Sequence, residues 1–192
     1  MPRPWPPTGA AASFGLVPHL RRPAMQTSPA PDIVETTLLP AVPPLLGRRT
    51  LAGSHWCLGA LVTPLITGAD THGRFAVLDM SLRRGTEPPA HTHQREDETY
   101  FVLEGQLRFC LDEQVLVAGP GDTVHLPRGR RHCYQLETEY ARVLLHLAPA
   151  GLEHCFQALA EPAAALIVPP RPLDPDVTKL LAVAARFGVT FD

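Results

Sequence analysis

From residue 49 to 148 the chain breaks into short runs rich in β-formers, separated by turn residues, and no stretch of helical period interrupts them. No other feature restricts the fold as strongly. Candidate strands cover residues 50–53, 56–64, 75–82, 90–93, 98–103, 106–111, 114–117, 123–126, 132–136 and 141–148. Thr67-Gly68-Ala69-Asp70, Glu104-Gly105 and Gly119-Pro120-Gly121 punctuate them. Short antiparallel strands leave exposed edges, and closing them into a double-sheet jelly roll removes most of those edges. The expectation is an all-β domain.

Within this span lie four residues that suit a metal: His91 and His93 with one residue between them, then Glu98, then His132 on a later strand. Side chains at i and i+2 of a strand leave from the same face, so His91 and His93 present two imidazoles side by side. Glu98 lies at an odd offset from His93, which would turn it to the opposite face of a straight strand. The wholly polar Gln94-Arg95-Glu96-Asp97 suits a bend, after which Glu98 opens a second strand facing the histidines. Imidazole nitrogen with one carboxylate oxygen suits one divalent transition metal ion: Fe, Ni, Mn, Co, Cu or Zn. Calcium and magnesium favour oxygen ligands. Four protein ligands leave two adjacent positions of an octahedral ion, enough for a bidentate substrate or for substrate plus dioxygen.

The remaining titratable residues have plainer readings. His19, His55, His72 and His154 read as satisfied surface or core residues, His125 and His146 as structural packing, and Glu96 and Asp97 as solvated loop charges.

A frame of glycines surrounds the four candidate ligands. Gly85 is followed after five residues by His91-x-His93, after four more by Glu98 and after six more by Gly105; a second block runs Gly121, five residues, Pro127-x-Gly129, two residues, His132. Over residues 45–162 the chain resembles the cupin superfamily, whose paired signatures these blocks match. Residues 88–98 and 101–105 are similar to small bacterial single-cupin proteins of the quercetin 2,3-dioxygenase type. The resemblance implies a cupin double-stranded β-helix, a jelly-roll barrel, with His91, His93, Glu98 and His132 holding the metal inside. It also implies a metal-dependent dioxygenase acting on a hydroxylated aromatic or enolic small molecule, with Glu98 as both ligand and general base. A metal-dependent isomerase or lyase, and a non-enzymatic small-molecule-binding cupin, use the same site. One departure stands out: the second signature commonly ends in Asn where this chain has Leu136. If His132, Tyr134 and Leu136 share a strand face, the pocket gains apolar character.

Composition bounds the rest. A chain of 192 residues carrying a net charge of −2 shows no electrostatic footprint for nucleic acid. No stretch has the apolar length to span a bilayer, and residues 10–17 are too short, with only Arg3 before them, for a secretory signal. Cys57, Cys110, Cys133 and Cys155 are widely spaced and suit reduced thiols in the cytoplasm. Eleven of the 22 prolines precede residue 50, so residues 1–44 read as a Pro-rich N-terminal extension, with a possible edge strand at 33–39 and a native start at Met25. Residues 45–150 form the barrel and 151–192 a C-terminal helical appendage. Its two helices, 152–160 and 176–187, the second opened by Asp174 and Pro175, are expected to pack outside the barrel. A homodimer is expected, with the 33–39 strand and these helices at the interface.

Overall fold

The computed structural model describes residues 42–170 and 176–191. The Pro-rich extension, the 33–39 edge strand, the start at Met25 and the Asp174-Pro175 helix opening lie outside the described residues. In chain order the strands are β1 (His55–Cys57), β2 (Ala60–Ile66), β3 (Ala76–Arg83), β4 (His91–His93), β5 (Asp97–Glu104) and β6 (Leu107–Leu111). Then come β7 (Gln114–Ala118), β8 (Thr123–Leu126), β9 (His132–Leu136), β10 (Tyr140–Ala148), β11 (Glu161–Pro162) and β12 (Val189–Phe191). Three helices join them: α1 (Gly68–Thr71), α2 (Glu153–Leu159) and α3 (Val177–Arg186).

The strands form two antiparallel sheets. One runs β11-β1-β2-β3-β10-β5-β8 and the other β12-β4-β9-β6-β7. From β4 onward the chain passes back and forth between the two, the wiring of the jelly roll that the strand pattern led us to expect. Period-2 burial shows how each sheet turns one face inward: on β10, Ala141, Val143, Leu145 and Leu147 are buried between less buried neighbours. Register places Val102 opposite Val143, Tyr100 opposite Leu145 and Glu98 opposite Leu147. The inward row of β5 is thereby fixed, and Glu98 is part of it.

Local chemistry sets several boundaries differently from the sequence reading. The expected strand at 56–64 is a hairpin, because Leu58 and Gly59 both take positive φ and make a two-residue turn between Cys57 and Ala60. Residues 50–53 form a turn instead of a strand: the Thr50 hydroxyl accepts from the Gly53 N–H, competing with ladder pairing. Thr67 and Asp70, read as loop punctuation, form a capping box for the one-turn helix α1.

The C-terminal helices occur where helical spacing placed them, but not in the expected setting. Leu152, Cys155 and Phe156 at α2 and Leu180 and Ala184 on α3 face a chamber shared with the barrel interior. They form a wall of it. The side chain of Asp176 accepts from the Lys179 N–H and caps α3. Strand β12, which no sequence signal announced, pairs with β4.

Candidate metal centre

The four candidate ligands reach one point from both sheets. His91 and His93 are the two inward residues of β4, with Thr92 between them facing the other way. His132 lies directly opposite His91 in the β4–β9 pairing. After His93 the chain crosses to the other sheet, so the odd offset to Glu98 becomes an inward position on β5. The ligand atoms of His91, His93, Glu98 and His132 all lie within 4.8 Å of one another, and every one of these residues is buried. The imidazole centroids are 4.6 to 5.2 Å apart.

Hydrogen bonding orients two of the rings. Nδ1 of His91 lies 2.8 Å from the Pro89 carbonyl, and Nδ1 of His132 lies 2.9 Å from the Arg130 carbonyl. A carbonyl only accepts, so Nδ1 carries the proton in both rings and each Nε2 keeps a lone pair for the centre. Nε2 of His93 is 3.5 Å from Glu98 Oε1, and Nε2 of His132 is 3.2 Å from Oε2. Neither nitrogen has a hydrogen-bond partner of good geometry. Buried polar atoms are rarely left so. Three imidazoles and one carboxylate converging with unpartnered lone pairs fit a divalent transition cation, which would satisfy them together.

Electrostatics agree with that fit. Burial pushes His91 down to about 4, and burial likewise lowers His93, so both are neutral and ready to donate a lone pair near pH 7. Burial also works against a charge on His132, but the adjacent Glu98 outweighs it and raises that group. Glu98 is itself fully enclosed, which favours its neutral form; His93, His132 and His91 together nevertheless hold it down to about 2. An ionised carboxylate this deep needs a compensating cation.

Around the cluster lies a chamber of about 280 Å³, near the lower end of small-molecule sites. Met80, Leu82, Tyr100 and Tyr134 line it from the barrel, and Phe156 and Phe191 from the C-terminal segments. Among the described residues, no Lys or Arg lines it. Tyr100 and Tyr134 were legible by the same parity as the ligands, each two residues beyond Glu98 or His132. Tyr100 donates its hydroxyl to Glu98 Oε2 across 3.3 Å, and burial with the nearby Glu98 charge keeps that phenol protonated. His132, Tyr134 and Leu136 do share a buried face, and Tyr134 reaches the chamber while Leu136 joins the core.

The other residues mostly follow their plain readings. His125 is exposed and bonds Thr99 at 3.0 Å, while His146 stacks on Phe75 at 5.3 Å. Asp97 pairs with Arg128 at the surface at 3.1 Å. Glu96 does not follow its reading. It is only 3% exposed, its Oε2 has no partner, and burial raises its pKa, because the chain near Gly151 and Glu153 packs over the bend. All four cysteines are free. Among the described residues no helix is long and apolar enough to cross a membrane.

A family model described as the cupin domain matches residues 78–147, the span that carries all four candidate ligands. The chain belongs to the cupin superfamily. It is 32% identical over 146 residues to the quercetin 2,3-dioxygenase of Bacillus subtilis (strain 168), a match covering 73% of this chain and 42% of that protein. This cupin therefore spans less than half the length of that curated relative. Among solved structures, Pac13 from Streptomyces, described as a unique nucleoside dehydratase, is 22% identical, with 60% of this chain and 89% of that chain covered and a TM-score of 0.45. An RmlC-like cupin from Shewanella frigidimarina is 18% identical, with 50% and 82% covered and a TM-score of 0.44.

Proposed function

We propose that this cupin is a metal-dependent dioxygenase of quercetinase-like type that acts on a hydroxylated aromatic or enolic small molecule. The observation that carries the reading is the buried His91–His93–Glu98–His132 cluster, of which His91, His93 and Glu98 line a largely apolar chamber. The identity to a quercetin 2,3-dioxygenase supports the choice of chemistry. A bound divalent transition metal would supply Lewis acidity and an electron path between substrate and dioxygen.

The residues of the chain account for the rest. The chamber walls, with no Lys or Arg among the described lining residues, select a molecule with no acid group away from the cluster. Tyr100, Tyr134 and Phe156 present flat surfaces on which an aromatic or enolic ring lies. Glu98 turns both oxygens to the cluster, Oε1 toward His93 and Oε2 toward His132, and offers the second to accept the proton of an incoming hydroxyl. Tyr100 fixes that second oxygen in place.

The test is metal analysis of freshly purified protein together with oxygen uptake on a panel of flavonols, catechols and diketones. Iron or nickel with uptake on a panel member supports the dioxygenase. Zinc at one per chain with no uptake on any of them overturns it, in favour of a metal-dependent isomerase or lyase or of a small-molecule-binding cupin.

We also propose a cytoplasmic homodimer. Val177 and Leu181 on α3 are 60% and 48% exposed and offer an apolar face to a second copy. Light scattering at micromolar concentration should give twice the chain mass; a monomer would contradict this.

A further inference from the structure

Strand β12 sits at the edge of its sheet and pairs with β4, the strand that carries two of the four ligands. The register sets Val189 opposite His93 and Phe191 opposite His91. Directly opposed residues share a sheet face, so the two inward side chains of β12 abut the two imidazoles. The ring centroid of Phe191 lies 5.8 Å from that of His91, at 45° between planes. A backbone bond fixes the strand entry: the Gln94 N–H donates to the Gly188 carbonyl at 2.9 Å. Ahead of β12, α3 turns Leu180 and Ala184 to the same chamber. All of these side chains except the imidazoles lie outside residues 78–147, the span matched by the domain model.

We infer that α3–β12 is the specificity-determining wall of the chamber and that Phe191 sets the size of the molecule that reaches the metal ligands. The inference rests on reading the chamber as the substrate site. Two observations carry it. A chamber of about 280 Å³ has little room to spare, so one ring on its wall decides what fits. And Phe191 combines contact with the imidazole of His91 and a place on that wall, at the end of a three-residue edge strand where it is only partly buried against the core. Its neighbours on the wall are apolar, so the part of the occupant that meets them is an uncharged ring system.

The full-length protein, metal-free and nickel-loaded, would be titrated with N-phenyl-1-naphthylamine, an uncharged aromatic fluorophore, in the parent and in Phe191→Trp and Phe191→Leu. The parent should bind one probe per chain. Phe191→Trp, which crowds the wall, should weaken binding by about tenfold or more, and Phe191→Leu should stay within about threefold of the parent. Nickel content should be the same in all three. Failure of the parent to bind the probe, equal affinity in parent and Phe191→Trp, or loss of nickel in Phe191→Leu would overturn the inference; the last would make Phe191 a structural prop for His91. A parent that takes up no nickel would instead refute the metal reading, while the metal-free titrations still decide the role of the wall.

Discussion

Tyr100 donates its hydroxyl to Oε2 of Glu98 from the next inward position of the same strand. The bond holds the oxygen assigned to proton transfer while leaving the ligand set intact. Tyr100→Phe keeps the ring that packs against Phe109 and removes only the donor. Turnover on a panel substrate should fall about five- to tenfold, the worth of one hydrogen bond, with metal content unchanged. Loss of metal in this variant would show that the phenol supports the site instead of tuning Glu98.

Glu98→Gln separates ligand from base. The amide keeps the size and one coordinating oxygen but cannot take a proton. Most of the metal should remain, and turnover should drop by about 10² to 10⁴. Turnover equal to the parent would leave Glu98 as a ligand alone.

The metal-free protein should lose stability on acidification in a defined window. His91 has a folded pKa near 4 against an ordinary value of 6.5, so between these values the unfolded chain binds more protons. Stability therefore falls as pH drops through 6.5 toward 4, with His91 contributing up to about 1.4 kcal/mol per pH unit. His93 adds in the same direction, and Glu98, lowered to about 2, extends the loss below its ordinary 4.5. His132 and Glu96, whose values are raised, oppose it. Thermal melts of metal-free parent and His91→Gln across this window should show a shallower pH slope in the variant; identical slopes would contradict the assignment.

Two glycines of the frame differ in what they tolerate. Gly105 has a φ of 76°, and a Cβ there would run into the Tyr140 carbonyl and stand 2.7 Å from Thr138 Oγ1. Gly121 has a φ of 91° and open space around it. Gly105→Ala should cost about 2–4 kcal/mol in denaturant unfolding, and Gly121→Ala only about 1–2 kcal/mol. Equal costs would mean that the turn at Gly105 relaxes away from the carbonyl.

The site was legible in the sequence because strand parity is a local rule. His91 and His93 had to share a face, the polar bend had to redirect Glu98, and the glycine frame supplied the turns. What escaped notice depends on packing between segments distant in sequence. Strand β12 has three residues, too few for its Val-Thr-Phe alternation to stand out, and it forms because β4 leaves an edge open. Glu96 looks like a loop charge until the chain near Gly151 covers it. The apolar stripe of α3 was visible, but which residues faced inward was not: Ala184 is buried and Leu181 exposed.

The central claim is that His91, His93, Glu98 and His132 hold one metal ion, and the most direct test is metal stoichiometry. Parent, His91→Ala and His132→Ala, each confirmed folded by circular dichroism, would be dialysed against nickel, freed of excess and assayed by mass spectrometry for metal per chain. The account predicts about one equivalent in the parent and close to none in either variant. A full equivalent retained by His132→Ala, or none in the parent, would contradict it.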